Sequence, residues 1–198
     1  MNFDIKDFEN PNLKDLDEYR HMYEKSVTDP SSFFLEHALK ELDWFEKPSI
    51  GYSGKITEPT WFSNGVLNIS YNCVDRHAAQ NPDKTAIIWQ GDGKEETKHI
   101  SYGQLLIEVS KLANGLKSIG VKKGDRVCIY MPMIPEAAYS MLACMRIGAI
   151  HSVVFGGFSP EAISSRILDS DCQYVITTDE GIRGCLLYTS DAADEQWS

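Results

Sequence analysis

The sequence predicts an α/β fold: a mostly parallel sheet covered by helices and preceded by a helical leader. Three observations carry that prediction. From Thr85 to Thr178, short β-branched runs alternate with long apolar stretches of helical period, the pattern of a parallel, doubly covered sheet. From Tyr130 to Ile167 the chain reads strand, helix, strand, glycine turn and helix in immediate succession. Up to about residue 65, helical stripes give way to large aromatics in glycine- and proline-bearing segments, which marks a leader.

In chain order, Leu16, Tyr19, Met22 and Tyr23 make a helical stripe, and Asp29-Pro30 opens a second helix carrying Phe34, Ala38, Leu39 and Leu42. Trp44, Phe45, Trp61 and Phe62 are expected to pack in a core or dock on a neighbouring surface, ahead of forming a ligand box. Asn68–Gln80 reads as a helix closed by Asn81-Pro82. Thr85–Gln90 reads as a strand, Gly91-Asp92-Gly93 as a turn, and His99-Ile100 as part of a second strand. The glycines and Lys94 of that turn resemble a phosphate loop only in composition, because they join two strands.

Ser101 caps a long amphipathic helix with Leu105, Leu106, Val109, Leu112, Ala113, Leu116 and Ile119 on its apolar side, ended by Gly120. Gly124-Asp125 turns the chain into a strand at Val127–Tyr130. A helix follows from Pro135 to Gly148, then a strand at Ile150–Val154. Ser159, Pro160 and Glu161 supply an N-cap, a first-turn proline and a first-turn acid for the next helix, and Tyr174–Thr178 completes the series.

Composition narrows the functional classes. The 198 residues suffice for a domain with a real core, and 42% hydrophobic with 24% charged residues is ordinary for a globular protein. The net charge is −10, with no basic cluster, which argues against nucleic acid and against an anionic membrane as partners. No apolar run reaches membrane-spanning length, and the first residues lack the basic and apolar regions of a signal peptide, so the cytoplasm is the expected compartment. Cys73, Cys128, Cys144 and Cys172 lack zinc-ligand spacing and read as buried free thiols. His77 and His151 read as packed residues.

No nucleophile–base pair, metal cluster, Walker loop or dinucleotide fingerprint stands out. One candidate site remains from spacing, Phe155-Gly156-Gly157-Phe158, at the carboxyl end of a strand where open α/β sheets bind nucleotides. Two glycines there let backbone approach a ligand closely. An empty tight turn fits the same spacing equally well.

That stretch also carries a resemblance. FGGFSPEA, with IYMPMIPEA, MLACMRIGAIHSVVFGG and VITTDEGIRG around it, resembles the acetyl-CoA synthetases, the AMP-forming acetate–CoA ligases of the adenylate-forming superfamily. The likeness runs from about Leu16 to Gly184 and includes EYRHMYEKSVTDP, WFSNGVLNISYNCVDRH and KTAIIWQGDG. It implies residues 1–65 as a leader of that type and residues 66–184 as the start of the AMP-binding large domain, incomplete here. Ser-Pro-Glu-Ala after FGGF is more similar to the acetyl than to the propionyl enzymes. A propionyl or other short-chain ligase, and a non-catalytic relative that binds CoA, stay open as alternatives.

The resemblance implies a two-step ligase that uses acetate, ATP, CoA and Mg²⁺, passes through acetyl-AMP, and releases pyrophosphate and then AMP. It also implies that Phe155, Gly156 and Gly157 line the nucleotide end of CoA, and that Arg183, beside Gly184, meets the CoA 3′-phosphate. A guanidinium suits a phosphate because it can donate two parallel hydrogen bonds. No ATP-binding, metal-binding or catalytic residue of the family carries over onto this sequence.

After Gly184 the likeness stops, and CLLYTSDAADE (185–195) is what one frame of a transposase sequencing adapter encodes. Residues 185–198 are therefore expected not to be native and to take no part in the fold. Tyr188-Thr189-Ser190 imitates the start of the family's phosphate loop, but Asp191-Ala192-Ala193-Asp194 follow it, and acidic residues without glycines cannot cradle phosphates.

Overall fold

The computed structural model describes residues 13–93, 95–183 and 186–189. The chain divides into two compact units, residues 1–67 and 68–198.

The first unit contains two helices and a hairpin. Helix α1 (Leu16–Thr28) is capped by the Asp15 carboxylate, which accepts the Glu18 N–H at 2.8 Å. Helix α2 (Pro30–Glu41) starts on Asp29, whose carboxylate accepts the Ser32 N–H at 3.1 Å. A Lys25–Glu36 ion pair at 2.9 Å joins the two helices. Strands β1 (Tyr52–Lys55) and β2 (Glu58–Trp61) pair antiparallel. The aromatics gather inside this unit: Trp61 packs on Phe34 and Tyr52, and Trp44 on Phe62. The Trp44 indole N–H donates to the Ala38 carbonyl at 2.8 Å. Mutual packing thus accounts for three of the four aromatics, while Phe45 stays 65% exposed.

The second unit opens at Asn68. Its side-chain oxygen accepts the Tyr71 N–H, and its amide donates to the Met145 and Arg146 carbonyls at 3.1 and 3.2 Å. One side chain thereby caps a starting helix and satisfies carbonyls at the end of another. The expected helix over 68–80 forms, with one departure. Residues Tyr71–Asp75 make a π turn, closed by the Arg76 N–H to the Tyr71 carbonyl, before α3 (Arg76–Gln80). Strands β3 (Thr85–Gln90) and β4 (Thr97–Ser101) form an antiparallel hairpin with a bulge between Thr85 and Ile87. A full capping box, Ser101 with Gln104, then starts α4 (Tyr102–Ser118). Leu105, Val109, Ala113 and Leu116 form its buried stripe.

The parallel sheet has the order β6-β5-β7, from β5 (Arg126–Met131), β6 (Ile150–Phe155) and β7 (Tyr174–Thr177). Helix α5 (Pro135–Ile147) links β5 to β6 and ends on Gly148 in the left-handed region at φ 75°. Helix α6 (Pro160–Ser170) links β6 to β7 across β5. The two crossovers run in opposite directions along the sheet, so right-handed connections put α5 and α6 on opposite faces. Val127, Cys128 and Ile129 are accordingly all buried in succession, as a strand covered on both faces requires. Cover is only partial on the flanking strands, where Ile150, Val153 and Val175 are 57, 46 and 49% exposed.

Three expectations need correction. Cys73 is exposed, because it lies in the π turn beside buried Asn72 and Val74 rather than in the core, and Cys172 is only partly buried; Cys128 and Cys144 are buried as expected. The β3–β4 hairpin stands apart from the parallel sheet. Beyond Arg183, strand β9 (Leu186–Thr189) pairs antiparallel with β8 (Glu180–Arg183), so four residues expected to take no part in the fold do form a strand. Residues 184, 185 and 190–198 lie outside the described residues.

Candidate functional site at the carboxyl end of the sheet

Adjacent strands β5 and β6 are followed by helices on opposite faces, the arrangement that in open α/β sheets places a ligand crevice at the carboxyl ends of the strands. Its walls are Met131-Pro132-Met133-Ile134 after β5 and Phe155-Gly156-Gly157-Phe158 after β6. The second wall is a tight turn: the Gly157 and Phe158 N–H groups both donate to the Phe155 carbonyl, at 2.8 and 3.1 Å. The Phe155 and Phe158 rings meet edge to face at 6.2 Å. Phe158 is half exposed, so it presents an apolar surface at the rim, while Phe155 is partly buried beneath it. The Tyr130 hydroxyl reaches the Phe158 carbonyl at 3.3 Å.

The two glycines differ in what they do. The Gly156 N–H donates to the Met131 carbonyl at 3.0 Å. A Cβ on Gly156 would stand 2.8 Å from the Pro132 nitrogen and 2.9 Å from the Met131 carbonyl carbon. Glycine is needed at 156 because the floor of the crevice is backbone against backbone. Gly157, one residue further, is exposed and is the glycine that faces outward.

Arg183 ends β8, opposite Leu186 in the hairpin register, and Gly184 lies outside the described residues. Strand β8 reaches the same crevice through its backbone. A Cβ on Gly181 would lie 3.2 Å from Pro132 Cγ. Pro132 is thus the common neighbour of the glycine turn and of β8, and it brings together the two segments that sequence reading singled out separately.

The start of α6 borders the turn. The Ser159 hydroxyl accepts the Ala162 N–H at 3.4 Å, and Glu161 in the first turn is held below the usual carboxylate range by its hydrogen bond with Ser159. The positive end of this helix therefore already carries a carboxylate. Among the described residues no group of three or more His, Cys, Asp or Glu could hold a metal ion, and no helix is long and apolar enough to cross a membrane.

Two contributors escaped the sequence reading. Pro132 gives no signal in the sequence beyond that of any turn-forming proline. Trp89, on the β3–β4 hairpin, donates its indole N–H to the Met133 carbonyl at 2.7 Å and so reaches the crevice from a separate sheet. A tryptophan near the end of a short strand, just before a glycine turn, was the available signal.

Comparison with known proteins gives two adjoining matches. Residues 74–196 match the AMP-binding enzyme family, and residues 19–73 match the acetyl-coenzyme A synthetase N-terminus. The first match runs through the segment set aside on sequence grounds. An acetyl-coenzyme A synthetase of a gamma-proteobacterium is 53% identical over 175 residues, covering 88% of this chain and 27% of its own length. Acetyl-coenzyme A synthetase 2 of Pseudomonas aeruginosa is 55% identical over 170 residues, with 85 and 26% covered. The Sinorhizobium medicae acetyl-coenzyme A synthetase is 55% identical over 179 residues, with 88 and 27% covered. The chain spans about a quarter of the length of these relatives.

Proposed function

The chain belongs to the AMP-binding enzymes, with an acetyl-coenzyme A synthetase N-terminus ahead of that region, and on this premise we propose that it is the first part of an AMP-forming acetate–CoA ligase. The whole enzyme joins acetate to ATP, with Mg²⁺ present, to give acetyl-AMP and pyrophosphate. The CoA thiol then displaces AMP. Its work is cytoplasmic, on small molecules. Stabilising the charge that develops on the phosphates needs cations and backbone donors. Residues 1–184 contain no glycine-rich phosphate loop with its lysine, so this part supplies no catalytic group to adenylation.

Its own contribution is to the second substrate. The exposed Gly157 and the half-exposed Phe158 ring, which Phe155 meets edge to face, give an adenine or ribose an apolar face to lie against. Arg183, carried by β8 to the same crevice, meets the 3′-phosphate of CoA. The observation that supports this reading is the meeting of the glycine turn and β8 on Pro132. Gly156, in contrast, serves the floor of the crevice.

The test is Arg183→Ala in the full-length ligase. The apparent KM for CoA should rise about tenfold or more, the order of a charge-assisted contact of about 1.5–3 kcal/mol. Acetate-dependent exchange of pyrophosphate into ATP should stay within twofold, because that half-reaction does not involve CoA. An equal fall in exchange and overall rate would refute the assignment.

A further inference from the structure

We infer that Trp89 is a positioning residue for the CoA side of the crevice, an inference that rests on the reading of that crevice given above. The β5–α5 loop is held along its own length by the Ile134 N–H to the Pro132 carbonyl and the Ala137 N–H to the Ile134 carbonyl, at 2.8 and 3.0 Å. Such bonds fix a turn but not its height above the sheet. The Trp89 indole N–H supplies a tie from another element, bonding the Met133 carbonyl at 2.7 Å across 44 residues of sequence.

The donor is itself constrained from several sides. Trp89 faces Lys98 in the β3–β4 register, and the Lys98 ammonium sits 5.2 Å from the centre of the indole ring. At the hairpin turn, a Cβ on Gly91 would come within 2.8 Å of the Trp89 ring edge, so the glycine leaves room for the indole where it stands. A bulge between Thr85 and Ile87 turns the strand before the ring is presented. The Lys98 cation, the Gly91 turn and the bulge of one hairpin therefore all bear on where the Trp89 ring stands.

What that N–H holds is the residue next to Pro132. Pro132 touches the positions a Cβ would take on both Gly156 and Gly181, and Met131 accepts the Gly156 N–H. A shift of the loop by a few tenths of an ångström would move the glycine turn and β8 relative to each other. The spacing between an aromatic rim and a phosphate-binding arginine is what sets whether one nucleotide can meet both. Trp89 touches neither ligand group, and acts through the Met133 carbonyl.

Two variants of the full-length ligase test this. Trp89→Phe keeps a ring but loses the N–H; Lys98→Met keeps the N–H but loses the cation over the ring. Trp89→Phe should raise the KM for CoA about three- to tenfold while kcat and acetate-dependent pyrophosphate exchange stay within twofold, and Lys98→Met, which loosens the ring but keeps the N–H, should raise the KM by less than Trp89→Phe does. Deuterium uptake of backbone amides should quicken at 131–134 and 155–158 in Trp89→Phe, and stay unchanged at 150–154. Unchanged uptake in both loops, or a lowered melting temperature with an unchanged KM, overturns the inference. If Arg183→Ala raises the KM but Trp89→Phe does not, only the positioning role fails. If uptake quickens in the loops but neither substitution alters the KM for CoA, the crevice is not a CoA site and both readings fall.

Discussion

Arg146, at the end of α5, grips Asp75 with both terminal guanidinium nitrogens, which donate to its two carboxylate oxygens at 2.6 and 2.8 Å. Both side chains are less than a third exposed, so water screens the pair only partly. The contact joins the π turn to the helix that leads into β6, across 71 residues of sequence. Its hydrogen bond with Asp75 raises the Arg146 value above the ordinary one. Asp75→Asn should lower stability by about 1–3 kcal/mol, since it leaves a partly buried guanidinium without its counter-charge. Urea denaturation followed by far-ultraviolet circular dichroism measures this, and a change below about 0.5 kcal/mol would show the pair to be incidental.

Two glycine substitutions should have opposite signs. Gly115 lies inside α4 with nothing within 4 Å of an added Cβ, so Gly115→Ala should stabilise the protein by about 0.5–1 kcal/mol. Gly156→Ala would drive a methyl into the Met131–Pro132 backbone and should destabilise by about 1–3 kcal/mol. Thermal melts of the two variants side by side decide the matter.

His151 titrates below its ordinary value of 6.5 because burial in β6 penalises the imidazolium. The unfolded chain therefore takes up the proton first as pH falls. Stability attributable to His151 is fully present above pH 6.5 and is lost as pH drops from there toward the folded value. His151→Gln should flatten the denaturation midpoint over that acid limb, and an unchanged slope would assign the acid sensitivity to other groups.

Thiol chemistry should separate the cysteines. Burial pushes the Cys144 thiol up to about 11 and raises that of Cys128, whereas Cys73 is exposed. With Cys185 replaced by serine, an aromatic disulfide reagent at pH 8 should label Cys73 first. Cys128 and Cys144 should react only after denaturant is added, because the thiolate is the reactive form. Peptide mapping of the labelled protein reads the order directly.

Expressed as residues 1–198, the chain should catalyse no acetate-dependent exchange of labelled pyrophosphate into ATP. Without a loop of backbone donors and a lysine, the triphosphate has no electrostatic clamp, and such stabilisation typically supplies the largest share of rate. Exchange clearly above a no-acetate control would reveal an adenylation site in this part.

The strand and helix order of the second unit was legible because its signals are local. Ser101, Ser159, Pro135 and Gly148 each act within one turn of their helix, and the structure has them as caps or first-turn residues. The β1–β2 hairpin was not legible: Glu58–Trp61 is exposed along its whole length and lacks alternating burial. Strand order was not either, since β5 is central only through partners about 20 and 50 residues further on. At the crevice, FGGF marked the right turn, but sequence cannot say which glycine meets backbone and which meets solvent. Trp89 and Pro132 were hidden for the same reason, as their roles rest on contacts between distant segments.

The π turn at Tyr71–Asp75 makes this stretch of helix sensitive to phase. A π turn holds one residue more than the regular winding, bonded here from Arg76 back to Tyr71. Removing one residue from it would restore uniform winding, yet everything on one side would swing by about 100° about the axis relative to the other. Asn68 precedes the turn and Asp75 ends it, and both reach the end of α5, so they could no longer face it together. A deletion that heals the local geometry would thus uncouple the helix from its neighbour, and the irregularity is what keeps its two ends in register with one target.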